Sequence, residues 1–204
     1  MTESDTYKII TAPSEGLYKE KGSKFISIAM HVTSEEEVKI QLEKIKKEYY
    51  TARHHCYAYV LEPDKRLFRA NDDGEPSGSA GKPILNQIYS FELTNILVVV
   101  VRYFGGTKLG VSGLVNAYKT ATREALAIAP TEIRTIDEVY ALSFPYPLMN
   151  EVMRITKEEN LQQINPKFEL DCYFEIKCRK NDVEKIIEKF KNIYGLTIKY
   201  LQTL

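Results

Sequence analysis

The sequence lacks an excess of charge of either sign. Its 204 residues include 28 lysines and arginines against 28 aspartates and glutamates, and its apolar share of 44% is that of a globular protein. A protein that binds nucleic acid independently of its base sequence normally carries an excess of basic residues, which neutralise phosphates. The balance argues against that class, and we expect no DNA partner, whereas a local basic patch stays open.

Long apolar segments are also missing. No uninterrupted apolar run is longer than six residues, the length of the run 96–101, whereas a helix needs about 20 residues to cross a bilayer. The first residues, MTESDTYK, place acids where a signal peptide has a basic start and then an apolar core. We therefore expect a cytoplasmic protein without a membrane partner.

Cysteine is scarce, and metal-ligand spacing is absent. Cys56, Cys172 and Cys178 are an odd number without a C-x-x-C pair, which is typical of reduced thiols. Cys172 and Cys178 would lie about 20 Å apart on one strand, too far for a disulfide. His54 and His55 would point to opposite faces of a strand, and His54 with Cys56 supplies only two of the three or four ligands that zinc needs. We predict no disulfide, no metal and no cofactor.

Familiar nucleotide and nucleophile motifs are absent too. Neither G-x-x-x-x-G-K-[ST] nor G-x-G-x-x-G occurs, and Ser112 in LGVSG resembles a nucleophile elbow only loosely. No Ser-His-Asp or Cys-His arrangement stands out. The motifs therefore identify no catalytic residue.

Apolar periodicity, in contrast, is clear and predicts an α+β protein of two domains. In the first half it predicts strands over 26–32, 54–61, 67–70 and 96–101, a helix opened by a capping box of Ser34 and Glu37, and a helix over 111–129. From residue 137 the predicted order is β-α-β-β-α-β, with a long alternating strand over 168–178 and a helix over 182–194 between Asn181 as cap and Gly195 as stop. That order is the ferredoxin-like pattern. We place the domains at 1–132 and 137–204.

Neither domain is basic. Residues 1–136 contain 18 basic and 17 acidic side chains, and residues 137–204 contain 10 and 11. The predicted open face of the second sheet carries Glu169, Asp171 and Glu175, where an RNA platform needs aromatic and basic groups. That face therefore favours protein contact.

The first candidate site is the loop that begins at Asn71. Asp72, Asp73 and Glu75 place three carboxylates within four positions, and carboxylate oxygens bind hard cations or can act on a substrate. Aspartate, glycine and proline are equally typical of turns, so a purely structural role stays open. The loop continues through Ser77 and Lys82 into a predicted helix.

The second candidate site is RYFGGTKLG at 102–110, between a buried strand and a helix. The amino end of a helix presents unpaired amides and a positive dipole, and glycine lets an anion approach them. Arg102 and Lys108 would add charge. The segment suits phosphate, and the alternative is a structural glycine turn.

Four motifs together resemble the YigZ/IMPACT family over residues 15–128. They are GSKFI at 22–26, ARHHCYAY at 52–59, NDDGEPSGSAGKPIL at 71–85 and VVRYFGGTKLG at 100–110. The second half is similar to the small carboxy-terminal domain of bacterial two-domain members and to the last domain of elongation factor G. Members usually carry more glycine near Val111 and Ser112 than this chain does.

The resemblance implies a first domain with the fold of the second domain of small-subunit ribosomal protein five. It also implies a role in translation, because eukaryotic relatives regulate it, and no catalytic residues are established for the family. We expect a non-enzymatic protein that contacts the ribosome, structured RNA or a translation factor. The alternative is an enzyme acting on a small phosphorylated or peptide substrate between the two loops. The candidate surface is Arg53, His54, His55, Asp72, Asp73, Glu75, Ser77, Lys82, Arg102, Gly105, Gly106, Thr107, Lys108 and Gly110.

Overall fold

The computed structural model describes residues 5–204, which form two compact units. The first comprises residues 7–134, and the second comprises residues 135–204 together with Asp5 and Thr6. Both combine sheets with helices, so the predicted mixture of α and β structure is confirmed. No helix within residues 5–204 is long and apolar enough to span a membrane.

The first unit is built on a five-stranded antiparallel sheet in the order β2-β3-β6-β4-β5. Its strands are β2 (Ser14–Glu20), β3 (Ser23–His31), β4 (His54–Leu61), β5 (Leu67–Asn71) and β6 (Ile96–Tyr103). The apolar run 96–101 lies in the central strand β6 and is buried at every position. A strand covered on both faces needs no polar alternation, which explains this run.

Helices cover both faces of this sheet. Val38 and Ile45 of α1 (Glu35–Glu48) pack on the face that carries Val99. The helices α2 (Gly81–Ser90) and α3 (Gly110–Ile128) pack on the opposite face, where Leu114 joins the larger core. One core therefore lies on each side of β6.

Three strands of the first unit lack a sequence signal. The strands β1 (Thr6–Ile10) and β7 (Thr131–Thr135) are short and pair with each other, and β7 is exposed throughout. In β2 the inward positions include Ser14 and Gly16. A Cβ at Gly16 would lie 2.4 Å from the backbone nitrogen of Ala125, so α3 approaches this strand too closely for a side chain. Inward glycine and serine hide the alternation that usually predicts a strand.

The predicted start of α1 is confirmed in part. The hydroxyl of Ser34 accepts the N–H of Glu37 at 3.2 Å, as a helix cap does. The carboxylate of Glu37, however, accepts the N–H of Thr33 at 2.7 Å, one residue further back than a capping box requires.

The second unit has the element order β-α-β-β-α-β and a sheet in the order β11-β8-β10-β9. Its elements are β8 (Asp137–Pro145), α4 (Met149–Glu158), β9 (Gln162–Phe168), β10 (Asp171–Arg179), α5 (Val183–Lys191) and β11 (Thr197–Thr203). Side chains from both helices enter one core with the even-numbered residues of β10, including Phe174 and Ile176. Both helices therefore lie on the same face of the sheet.

The strand predicted over 168–178 is confirmed over 171–178, but its predicted start is wrong because a hairpin turn precedes Asp171. Phe168 ends β9, a turn follows at Glu169 and Leu170, and β10 begins at Asp171. Phe168 lies opposite Cys172, and directly opposed residues share a face. The alternation therefore runs unbroken through the turn and hides it. Glu169 lies in the turn, so the predicted acidic face loses that residue.

The predictions on both ends of α5 are wrong in position. The cap predicted at Asn181 is wrong: a short 3-10 turn over 180–182 leads into the helix, and Asp182 precedes it without a side-chain cap. The stop predicted at Gly195 is also wrong in position: α5 ends at Lys191 with Asn192 as its C-cap, and Gly195, with φ of +90°, lies in the turn that follows.

Candidate functional site

The two candidate loops meet at one depression of about 480 Å³ in the first unit. The antiparallel register explains the meeting, because His54 at the start of β4 pairs with Arg102 near the end of β6. The loop after β5 and the loop after β6 therefore reach the same end of the sheet. The lining residues are Arg53, His54, Glu75, Pro76, Arg102, Phe104, Lys108, Leu109, Gly110, Val111 and Leu114.

An ion pair of Arg102 and Glu75 joins the two loops beside this depression. Arg102 Nη1 lies 2.5 Å from Glu75 Oε1, and the two side chains are only 7% and 4% exposed. The guanidinium carbon lies over two rings, 5.4 Å from the Phe25 centroid and 5.6 Å from the Phe104 centroid. Because both charges are buried, each depends on the other for compensation. Glu75 and Arg102 therefore hold the loops together.

A tyrosine and a cysteine extend this ion pair into the core. The Tyr118 hydroxyl donates to Glu75 Oε1 at 2.8 Å, and Cys56 Sγ lies 3.2 Å from that hydroxyl and 3.0 Å from the carbonyl oxygen of Asp72. Burial raises the pKa of Cys56 to about 12 and also raises the pKa of Tyr118. Both groups therefore stay protonated near neutral pH, so neither acts as a nucleophile or base there.

The Asp72 carboxylate forms hydrogen bonds with the backbone of the segment that leads into α2. Its carboxylate accepts the N–H groups of Gly78, Ala80 and Gly81 at 2.8, 2.9 and 2.8 Å. Burial disfavours its charge, but these three hydrogen bonds outweigh burial and lower the pKa of Asp72 below its usual value. The carboxylate thus supplies the cap that Ala80, at the start of α2, cannot.

Asp73 is likewise used inside the fold. Its carboxylate accepts the N–H of His55 at 2.6 Å, and its carbonyl oxygen lies 2.8 Å from His54 Nδ1. A carbonyl can only accept, so Nδ1 of His54 carries the proton. Asp73 and Gly74 have φ of +42° and +86°, as a tight turn requires. Of the two roles left open for this loop, these contacts favour turn chemistry.

The two histidines serve different surfaces. His54 lines the depression, whereas His55 Nε2 donates to the carbonyl of Tyr49, at the end of α1 on the other face of the sheet. Residues 5–204 contain no group of three or more histidine, cysteine, aspartate or glutamate side chains that could hold a metal. All three cysteines are buried and free.

Two cationic side chains at the rim of the depression, Arg53 and Lys108, differ from the acidic side chains of the first loop. Arg53 and Lys108 are exposed, and neither forms an ion pair or hydrogen bond with any residue from 5 to 204. The amino end of α3 lies beside them with no side-chain cap and no acid in its first turn. Gly110, its first residue, has φ of +70° and open space around its Cα. The rim therefore presents positive charge without an internal counter-charge.

Gly105 anchors the second loop. A Cβ at this position would lie 1.9 Å from the backbone carbon of Gly22, so the chains touch where only glycine fits. The N–H of Gly105 donates to the hydroxyl of Ser23 at 3.1 Å. This contact fixes the start of the loop that carries Lys108.

The remaining predicted residues lie elsewhere. Lys82 lines a separate hollow of about 360 Å³ with Lys119 and Gln87. Ser77, Gly106 and Thr107 are exposed beyond the lining of the depression. The depression therefore gathers Arg53, His54, Glu75, Arg102, Lys108 and Gly110 of the predicted set.

The sequence did not predict the apolar side chains that line the depression, such as Phe104 and Leu114. It also did not predict the hydrogen bonds of Tyr118 and Cys56 next to the ion pair. Phe104 was inside the quoted motif, but its ring carried no assigned role. Leu114 and Tyr118 are four residues apart on α3, and Cys56 shares a strand face with His54. That spacing was the available signal for their common location.

Comparison with known proteins places this site in a family. Residues 21–126 match the Impact N-terminal domain, a range that contains every lining residue of the depression. The chain is 33% identical over 174 residues to an IMPACT family member of Haemophilus influenzae, covering 84% of this chain and 82% of that one. The chain belongs to the IMPACT family. Another relative, the IMPACT family member YigZ of Escherichia coli, is 38% identical over 144 residues, covering 70% and 71%.

A solved structure is similar in fold to this IMPACT family chain over nearly its whole length. A crystal structure described as that of a hypothetical protein matches with a TM-score of 0.72 and 30% identity. The match covers 98% of each chain. The match to the Impact N-terminal domain and the two relatives confirm the family resemblance suggested by the four motifs.

Proposed function

We propose that this IMPACT family protein is a non-enzymatic, cytoplasmic binding protein of the translation apparatus that holds RNA at the depression. The observation that carries the proposal is a division of charges. Glu75 and Asp72 are satisfied inside the fold, whereas Arg53 and Lys108 face solvent without an ion-pair partner among residues 5–204. Such a rim favours an anionic partner, and phosphate is the anion that RNA presents.

The contacts weigh against the alternative of an enzyme. That alternative needs a carboxylate base facing the cations, but Glu75 is buried against Arg102 and Tyr118. Cys56 has a pKa raised to about 12 by burial and is unsuited to nucleophilic attack. A thermal-shift screen with phosphorylated metabolites and dipeptides tests this alternative, and a saturable shift with a small metabolite would favour it.

Two finer fold assignments belong to the same proposal. We assign the first unit the fold of the second domain of small-subunit ribosomal protein five, on the resemblance of its motifs. We assign the second unit the ferredoxin-like fold, which the sheet order β11-β8-β10-β9 with both helices on one face supports. Folds shared with ribosomal proteins and elongation factors suit a translation role but do not decide it.

Co-sedimentation with ribosomes and with purified ribosomal RNA tests the proposal. We expect the protein to pellet at about 50 mM salt and to be released at about 200 mM, because phosphate contacts weaken steeply with salt. The double variant Arg53→Ala, Lys108→Ala should stay in the supernatant. A protein that never pellets contradicts the proposal. Pelleting with ribosomes that survives ribonuclease, without capture of RNA, indicates a protein partner instead.

A further inference from the structure

We infer that the depression holds one unpaired nucleotide of an RNA, with its base against the Phe104 ring and its phosphate between Lys108 and the amino end of α3. This inference rests on the proposed function and names the part of the RNA that the site takes.

The Phe104 ring is a preorganised surface for a base. It is 47% exposed and lines the depression. The Arg102 guanidinium packs against this ring, and Glu75 and the Phe25 ring hold the guanidinium in place. Exposed aromatic rings stack on unpaired bases of RNA, and a ring already held in place loses little freedom on binding.

Arg102 adds a second sign that the site is incomplete by itself. Its side chain is only 7% exposed and lines the depression, yet its Nε has no hydrogen-bond partner among residues 5–204. Buried donors are nearly always paired. Because Arg102 lines the depression, we expect an acceptor on a ligand bound there to pair with this donor.

The phosphate position follows from the opposite wall. Lys108 is exposed beside Gly110 and Val111, at the uncapped first turn of α3. Unpaired amides at a helix start and a nearby cation together suit a phosphate. Arg53, from the start of β4, supplies a second cation to the same hollow.

Size and charge favour a single nucleotide over a duplex. A volume of about 480 Å³ lies within the range of about 300–1,000 Å³ usual for pockets that hold small ligands. Two cations without partners can neutralise one or two phosphates, whereas duplex binders contact about 6–10 phosphates and carry a basic excess. This chain has 28 basic against 28 acidic residues. A base inside a duplex is stacked and cannot reach Phe104, so the nucleotide must be unpaired.

Fluorescence anisotropy with a labelled single-stranded oligouridylate and a labelled duplex RNA of equal length tests the inference. We expect the full-length protein to bind the single strand at least about tenfold more tightly. Phe104→Leu should weaken single-strand binding about 5- to 150-fold, since stacking contributes about 1–3 kcal/mol per base. Phe104→Tyr should retain binding, and the urea unfolding curve of each variant checks that the fold is intact.

Lys108→Glu provides a second variant that does not touch the core. It should weaken single-strand binding at least about tenfold. The slope of the logarithm of the binding constant against the logarithm of the salt concentration should fall by about one, the value for one lost phosphate contact. Lys44→Glu, on the exposed side of α1, is the matched control and should leave both unchanged.

The outcomes separate the inference from the function on which it rests. If RNA binds but Phe104→Leu has no effect, or weakens duplex and single strand alike, the nucleotide site is overturned and the proposed function stands. If neither RNA nor ribosomes bind at low salt, the proposed function itself fails, and the nucleotide site falls with it.

Discussion

The two glycine-rich loops look alike in sequence but do opposite things in the fold. The acidic loop after β5 uses its charges internally: Asp72 caps α2, Asp73 fixes the two histidines and Glu75 neutralises Arg102. In the second motif, Arg102 at the end of β6 is buried, whereas Lys108 in the loop that follows lies in solvent. The difference shows that a charge in a glycine loop is a binding candidate only if the fold has not already satisfied it.

The largest expected effect breaks the ion pair. Glu75→Leu leaves the Arg102 charge buried without compensation, and breaking such a pair costs about 3–5 kcal/mol in the free energy of unfolding. Urea denaturation measures the loss.

The matched control for the ion pair is the double variant Glu75→Leu, Arg102→Met. Replacing a buried pair with apolar side chains is often neutral, so most of the stability should return. A loss below about 1 kcal/mol in the single variant would show that the pair does not hold the loops together.

A smaller effect is expected at Asp72. Asp72→Asn removes the charge from three hydrogen bonds and offers fewer acceptor sites, so it should cost about 1.5–3 kcal/mol at neutral pH. Urea denaturation against the parent protein gives the value. A cost near zero would mean that the loop caps α2 in another way.

The pH dependence sharpens the Asp72 prediction. The folded pKa of Asp72 is lowered, so its stabilisation is fully present above the unfolded pKa of about 3.9 and is lost as the pH falls through the folded value. The stability difference between the parent and Asp72→Asn should therefore narrow below about pH 4. A difference that stays constant down to about pH 3 contradicts the role of the charged form.

The tyrosine behind the ion pair should matter less. Tyr118→Phe removes one hydrogen bond to Glu75 and the polar contact of Cys56, at a cost of about 1 kcal/mol. The ring contact with Phe25, at 5.1 Å between centroids, is retained. Thermal unfolding compared with the parent measures the change, and a loss as large as that of Glu75→Leu would place the stabilisation in the hydroxyl rather than in the ion pair.

Much of the fold could be predicted from the spacing of apolar residues along the sequence. The site, in contrast, depends on which residues of neighbouring strands pair with each other. The strands and helices with one apolar face were predictable, whereas β2 was not, because Gly16 and Ser14 occupy its inward positions. The hairpin at Glu169 escaped because the alternation continues across the turn. That the two loops meet depends on the pairing of His54 with Arg102, a contact across 48 positions that no local pattern specifies.

Whether a charged side chain is buried or exposed was the hardest feature to predict. Arg102 and Lys108 stand six positions apart in one motif, yet one is buried and the other exposed. Arg102 is the last fully inward position of β6, beside Phe25 on β3. Only tertiary packing separates it from Lys108, so sequence reasoning gave both the same role.

The most direct test measures stability and RNA affinity in one double variant, Arg53→Ala, Lys108→Ala. Because both side chains are exposed and form no ion pair or hydrogen bond with residues 5–204, their replacement should change the free energy of unfolding by less than about 0.5 kcal/mol. Affinity for single-stranded RNA should fall at least about tenfold, because two phosphate contacts are lost. The control Lys44→Ala, Arg69→Ala removes the same charge from exposed positions outside the depression and should change neither quantity. Unchanged RNA affinity in the Arg53, Lys108 variant would contradict the account.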